Sequence, residues 1–428
     1  MISFLKSIDL RHWIGFWVLI FSVTVVSFRG YAGAAIVLLI TALFVAAFKR
    51  PKLSFLCLNN YERIFIALFI SWYGVQLLGV LYQPPGYEFE NLRSHFKALD
   101  HPSRWLLLLP VFFLFRSYLI DWRFVAIGLS IGACVSTGIA HYQVYILGAD
   151  RAWGGATHPI PYAELMVAID LILWMFMIYA WDKGYKILST FILLGSLVAF
   201  YGSLLSVTRG AWLAYLAMIL IWVFYTLSKS LRNYRYLFST PVLLRFIFAA
   251  FVFWGVSQTD QYSQIEARTV STLDAISNDG LMSADKQRAI IVEDSISVFK
   301  RFPFGIGTGN FSAIKVDSVL NTPSGYRWTH AHNQFLNILV QNGIQGLIIF
   351  IALILFTLFV FLKSFNARSD LVRVYAAVGM MLVFSYAVFG LTQAVFKHKD
   401  TLMFFVFFLY LFFGQIQLLN RKQGKVFV

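Results

Sequence analysis

The chain has 428 residues, 59% of them hydrophobic and only 13% charged, with a formal net charge of +15 and a mean hydropathy of +0.71. A soluble domain carries roughly 25% charged residues, so this composition excludes an ordinary soluble enzyme and indicates a polytopic membrane protein. The two cysteines, Cys57 and Cys134, lie in or beside apolar stretches without CxxC spacing. They read as small core residues and imply neither a disulfide framework nor a metal site. Met1 to Arg11 is short and polar, and the first apolar run behaves as an anchor rather than a cleaved signal.

Apolar runs of roughly 18 residues or more mark candidate spans. About twelve can be drawn, at 12–28, 31–48, 64–83, 104–120, 124–146, 161–181, 187–206, 210–227, 243–258, 343–363, 372–394 and 401–420. The expected fold is therefore all-α, a transmembrane bundle interrupted by one long loop. Residues 1–258 hold the first nine spans, 259–331 the loop, and 332–428 the last three. Basic residues gather on the side of the N-terminus, among them Lys49, Arg50, Lys52, Lys229, Arg232, Arg235, Arg421, Lys422 and Lys425. By the positive-inside rule both termini are cytoplasmic. The net charge is mostly this topology signal and calls for no nucleic-acid partner.

The opposite, outer face then carries three notable connections. Residues 84–103 include Pro84, Pro85 and the start of Asp100-His101-Pro102-Ser103-Arg104. Residues 147–160 include Asp150-Arg151, Gly154-Gly155 and His158-Pro159. The third, 259–331, is far longer than an ordinary connection, and loops of that length are usually functional or carry their own structure. Ser283 to Phe299 reads as an amphipathic helix, with Ile290, Ile291, Ile296, Val298 and Phe299 at partial helical spacing and Ser283 as its cap. Phe304-Gly305-Ile306-Gly307-Thr308-Gly309-Asn310 reads as a tight turn.

Within this frame few side chains suit chemistry. His332, flanked by His330 and Asn333, opens an apolar helix at the outer interface, where an imidazole titrates near neutral pH. Its plainer reading is a histidine satisfying backbone groups at a helix start. Gly343 and Gly346 follow, and small residues let a neighbouring helix or lipid chain approach closely. Arg209, in Ser206-Val207-Thr208-Arg209-Gly210 between two apolar runs, either snorkels to lipid phosphate or fixes a guanidinium for bidentate binding of a diphosphate. Arg288, on the loop helix, either pairs with Asp285 at i,i+3 or closes over a substrate from above. Arg104 and Arg151 are weaker candidates of the same kind, and Arg104 stands one turn from Asp100. Two acidic residues fall within the spans: Glu164, which Arg151 could neutralise, and Asp170, on a polar seam of the bundle. Walker, HExxH, GxSxG and DxD motifs are absent. A diphosphate handled here would be neutralised by arginines rather than by a metal ion.

These features together resemble the O-antigen ligase and polymerase family of bacterial inner-membrane glycosyltransferases. The matching residues are Thr208-Arg209-Gly210, Arg288 ahead of Phe302-Pro303-Phe304-Gly305-Ile306-Gly307-Thr308-Gly309-Asn310-Phe311, and His332-Asn333 with Gly343 and Gly346. Their order and the span layout extend the likeness over most of the chain, and Asp100 to Arg104 looks like a further pattern frequent among the ligases. The resemblance implies a GT-C-like bundle and an inverting, metal-independent transfer that uses no cofactor. The donor would be O-antigen on undecaprenyl diphosphate, the acceptor a sugar hydroxyl of lipid A–core, and membrane lipids the surroundings. Arg209 and Arg288 match the arginines that engage the donor diphosphate, and His332 matches the essential histidine. Arg104, Arg151, His330, Asn333, Lys397 and Lys399 are further candidates for substrate contact. Some members carry an acidic residue before the last span, where this chain has Gln393 followed by Lys397-His398-Lys399-Asp400. Either Asp400 substitutes or that acid is dispensable, and the basic cluster instead meets core phosphates.

Overall fold

A bilayer offers no hydrogen-bond partner to a bare peptide group, so apolar runs of this length must satisfy their own backbones as helices. The computed structural model describes residues 9–28, 30–48, 58–85, 92–216, 240–259, 286–313 and 329–422, with a few positions between these stretches. All regular structure among them is helical: α1 (Leu10–Ser27), α2 (Tyr31–Phe48), α3 (Asn60–Leu81), α4 (Leu92–Leu107), α5 (Leu109–Phe115), α6 (Trp122–Tyr145), α7 (Pro159–Asp182), α8 (Lys186–Leu205), α9 (Arg209–Trp212), α10 (Thr240–Ser257), α11 (Lys286–Arg301), α12 (Gln334–Phe365), α13 (Asp370–Thr392) and α14 (Lys399–Lys422). Among the described residues nine are long and apolar enough to cross a membrane: α1, α2, α3, α6, α7, α8, α12, α13 and α14.

The layout follows the expected order with local departures. The run at 104–120 is not one span. It breaks at Leu108 into α4 and the seven-residue α5, because Pro110 has no N–H for the preceding turn and its ring crowds the carbonyl four residues back. The run at 210–227 opens with the single turn of α9, and most of the rest lies outside the described residues. The run at 243–258 is the apolar α10. The loop helix appears as α11 and runs to Arg301, two residues past the expected end at Phe299; its proposed cap Ser283 and the pairing partner Asp285 lie outside the described residues. Cys134 is exposed on α6 rather than buried in the core.

Two helices form the axis of the bundle. The apolar windows of α7 and α14 are 100% and 94% buried inside the protein, as expected for helices that are apolar all round. Around them α6 packs against α1 and α8, α13 against α12 and α7, and α3 against α12 and α4. Phe21 stacks on Phe407 at 3.6 Å and Phe65 on Phe413 at 4.0 Å, so aromatic faces of α14 seat both α1 and α3.

Charge is buried only where it is paired. Asn59 caps α3 by accepting from the Glu62 N–H, and Glu62 reaches back to the Asn59 N–H, a reciprocal capping box. The same fully buried Glu62 accepts from Arg116 Nε at 2.8 Å and also takes Arg421, joining α3, the end of α5 and the end of α14. On the seam, Asp170 accepts from Tyr215 at 2.9 Å and from Arg245 at 2.6 Å, which ties α10 to α7. Glu164 is not paired with Arg151. It is 1% exposed and its Oε2 has no hydrogen-bond partner, while Arg151 serves the turn described below.

Candidate active site

The start of α12, the end of α13 and the start of α14 meet at one end of the bundle, and Gln393 is where they join. Asn333 caps α12, accepting from the Leu336 N–H at 2.9 Å, and its amide donates to the Leu391 carbonyl at 3.2 Å. That clamp sets His332 against the residue following α13. His332 donates from Nδ1 to Gln393 Oε1 at 3.0 Å, and His330 donates from Nε2 to the same oxygen at 3.0 Å. The Gln393 amide in turn donates to His398 Nε2 at 3.3 Å. Gln393 Oε1 can only accept, so a singly protonated His332 bonded to it carries its proton on Nδ1 and its lone pair on Nε2. The rings of His330 and His332 are 4.3 Å apart.

The other histidines here are held neutral. Burial, then the nearby His332 and Lys397, pushes the His330 pKa down to about 3. Burial with His158 and His101 takes His398 to about 4, and burial with Arg104 takes His101 to about 4. Burial also lowers the pKa of Lys397, whose ammonium donates to the Thr329 carbonyl. Burial disfavours the charge of Asp100, yet Arg104 and Lys399 outweigh it and hold its pKa below the ordinary value. Asp100 bonds Arg104 at 3.1 Å, the expected one-turn pair, and Lys399 at 3.3 Å.

Arg209 reaches this end by a different route. Val207 and His332 are the two non-glycine residues with positive φ among the described residues, at 53° and 49°. A β-branched residue there is an outlier, and the neighbours hold it. Arg151 donates from Nε to the Ser206 carbonyl and from its terminal nitrogen to Thr208 Oγ1, both at 3.0 Å. The turn delivers Arg209 as the first residue of α9, half-buried. Gly210 is required because a Cβ would stand 2.9 Å from Thr392 Oγ1, and Thr392 adjoins Gln393. Thus Arg209 and His332 share one end, linked through Thr392 and Gln393.

Arg288 is exposed near the start of α11. Three residues on, Ile291 joins a small apolar cluster with Ile306, Phe311, Ala331 and Val340, which seats α11 against α12 beside His330 and His332. The glycine-rich turn completes that seat. Gly305, Gly307 and Gly309 have φ of 92°, 100° and 91°. Ile306 and Gly307 donate their N–H groups to the Val340 and Gln341 carbonyls, both at 2.9 Å. Thr308 Oγ1 donates to the Gln76 carbonyl and accepts from Asn342 at 2.7 Å.

Gly343 serves this loop rather than a neighbouring helix. It kinks α12 with φ 67° and ψ −170°, and a Cβ there would lie 2.4 Å from the Phe304 carbonyl carbon. Gly346 does face a helix: its nearest contact beyond α12 is Val75 of α3, at 3.4 Å from a Cβ. The structure therefore gathers His332, His330, Asn333 and Lys397 at one point. It puts Asp100, Arg104 and Lys399 beside them, carries Arg209 in through Thr392, and brings α11 alongside without burying Arg288. Asp400 accepts from Tyr31 at 2.9 Å, and the place against His332 belongs to Gln393. Sequence reading named Gln393 as a departure from the pattern and missed it as the hub. Among the described residues no group of three or more His, Cys, Asp or Glu side chains is placed to hold a metal.

Nine apolar helices among the described residues, with a histidine- and cation-lined polar end, define a polytopic membrane protein with its candidate site at one end of the bundle. Residues 194–351 match the family model described as O-antigen ligase, so that segment of the chain is similar to the O-antigen ligase family. The matched segment contains Arg209, Arg288, the glycine-rich loop, His332 and the Gly343 kink. Arg104, Arg151, Gln393, Lys397 and Lys399 lie outside it. The chain is also similar to an uncharacterized protein of Haemophilus influenzae, 21% identical over 384 residues that span 88% of this chain and 91% of the relative.

Proposed function

We propose that the protein is an O-antigen ligase of the bacterial inner membrane, with both termini cytoplasmic and the His332 end facing the periplasm. It transfers O-antigen from undecaprenyl diphosphate to a sugar hydroxyl of lipid A–core. The observation that carries this reading is His332, oriented through its Nδ1 contact with Gln393, on the same end as Arg209. The anomeric carbon of such a donor already bears its leaving group, so two needs remain. Negative charge growing on the departing diphosphate is met by the guanidinium groups of Arg209 and Arg288. The acceptor hydroxyl gives its proton to His332 Nε2 as its oxygen attacks the anomeric carbon, and the diphosphate leaves from the opposite face with inversion. His330 and Asn333 hold the base in place, and Arg151 holds the turn that carries Arg209.

The test is reconstitution in liposomes with polyprenyl-diphosphate glycan and lipid A–core. Wild type yields glycan-laddered product, and His332→Ala lowers kcat about 10²–10⁴-fold while donor binding persists. A variant that loses donor affinity instead makes His332 a diphosphate ligand, and movement of the donor across the bilayer without transfer makes the protein a transporter. Within the family, extension of the glycan by another repeat, or its transfer to Ser or Thr of a protein, identifies the polymerase or the protein oligosaccharyltransferase.

A further inference from the structure

The break between α4 and α5 leaves an apolar groove against α2, of about 350 Å³, lined by Ala42, Leu43, Ala46, Leu106, Leu109 and Phe113. On the α4 side its lining begins at Leu106, two residues after Arg104 of the Asp100–Arg104–Lys399 cluster, and Tyr31, at the head of α2, bonds Asp400 beside Lys399. Ala42 and Ala46 lie 11 and 15 residues past Tyr31 on α2, about 17 and 23 Å at the helical rise of about 1.5 Å per residue. The α2 wall of the groove therefore lies near the middle of a hydrocarbon layer about 30 Å thick, within an acyl chain's length of the cations above it. Arg209 is elsewhere: α9 packs on α7 and α13, whereas α2 and α5 pack on each other and on α1 and α14. The buried α14 stands between the two sides, with Gln393 and His332 above it.

Resting on the ligase reading, we infer that this groove holds an acyl chain of the acceptor lipid, with Arg104 and Lys399 on its phosphate, so that donor and acceptor reach His332 from opposite sides. Charge complementarity selects a phosphate-bearing lipid: Asp100 fixes both cations yet leaves further N–H groups on each to donate to phosphate oxygens. Position selects the acceptor, because Arg209 of the proposed donor clamp lies across α14.

The experiment uses the full-length protein in liposomes with intact, deacylated and dephosphorylated lipid A–core as acceptors. Ala46→Trp fills the groove from an exposed position, and Lys399→Gln removes one cation, with Lys399→Arg as its conservative control. The expected result is an acceptor KM raised at least about fivefold by Ala46→Trp with intact acceptor and unchanged with the deacylated one. Lys399→Gln raises KM for phosphorylated acceptors alone, Lys399→Arg restores it, and donor KM stays constant throughout. A rise in donor KM instead assigns the groove to the donor and overturns the inference. No change in either KM means that bulk lipid fills it, which also overturns the inference. A photocrosslinker at position 46 reads the occupant without catalysis. Acceptor crosslinked by a protein that transfers no glycan overturns the ligase reading and leaves the groove assignment standing, whereas transfer without that crosslink does the reverse.

Discussion

Replacing Gln393 with glutamate puts a formal charge on the atom that orients His332 and leaves the fold nearly untouched. Gln393 is 3% exposed and its Oε1 is 3.0 Å from both His332 Nδ1 and His330 Nε2. At an effective dielectric of about 20, a unit charge at that distance favours the imidazolium by about 5 kcal/mol, a ceiling of roughly four pH units. Two effects reduce it: the new carboxylate is itself desolvated, and it is shared between two histidines. An upward displacement of about one to two pH units is expected. In transfer assays across pH 5 to 9, the acid limb of the kcat profile should move to higher pH in Gln393→Glu, while the melting temperature stays close to that of wild type. The lost amide donor to His398, a contact of 3.3 Å, costs little by comparison. An acid limb that stays in place in a folded, active variant would refute His332 as the titrating base.

Three further outcomes concern the scaffold. Gly343→Ala should destabilise the protein by about 1–3 kcal/mol, since the residue sits at φ 67° against the Phe304 backbone; a melting temperature equal to wild type in detergent would contradict the docking of the glycine-rich loop. Arg116→Ala leaves the buried Glu62 with Arg421 as its remaining guanidinium and should cost about 3–5 kcal/mol, much of it recovered by the paired change Glu62→Leu with Arg116→Met; equal stability of the single and paired variants would exclude the charge imbalance as the cause. Acid should loosen the site before it unfolds the bundle. His101, His330 and His398 have folded pKa values of about 4, 3 and 4 against the ordinary 6.5, so the opened state binds more protons and stability falls as pH drops from about 6.5 toward 4. Asp100, depressed by its cations, adds a loss only at lower pH, below 3.8. Hydrogen exchange at residues 329–333 and 393–398 should quicken at pH 5 relative to pH 7.5, and unchanged protection would refute this account.

Much of the bundle is legible because bilayer length and backbone satisfaction leave one solution for each long apolar run. The chemistry-bearing positions stand out for a related reason: a histidine or arginine at the end of an apolar run has few structural uses. Contacts between distant segments are a different matter. Gln393 lies 61 residues from His332, and Arg245 lies 75 from Asp170, so no local pattern records either pair. The Gly343 kink imitates a helix-packing pair, and only the loop inserted against it shows its purpose. Two signals were available and went unused. Asn59-Asn60-Tyr61-Glu62 is a capping-box spacing that marks an earlier start for α3. Pro102 and Pro110 bracket the place where one expected span breaks in two.

The positive φ angles of Val207 and His332 say how the site is held. Each such conformation costs about 1–3 kcal/mol and persists only where neighbours over-determine it. Around Val207 they do: Arg151 grips Ser206 on one side and Thr208 on the other, while Gly210 lets α9 settle against Thr392. Around His332 the clamp is Asn333 on Leu336 and Leu391, with Gln393 on the ring. Both strained turns lean on the same end of α13, since Leu391, Thr392 and Gln393 are consecutive. Arg209 and His332 thus take their positions from one short segment rather than from their own helices. Arg151, a candidate ligand by sequence, belongs to the site through the turn it braces.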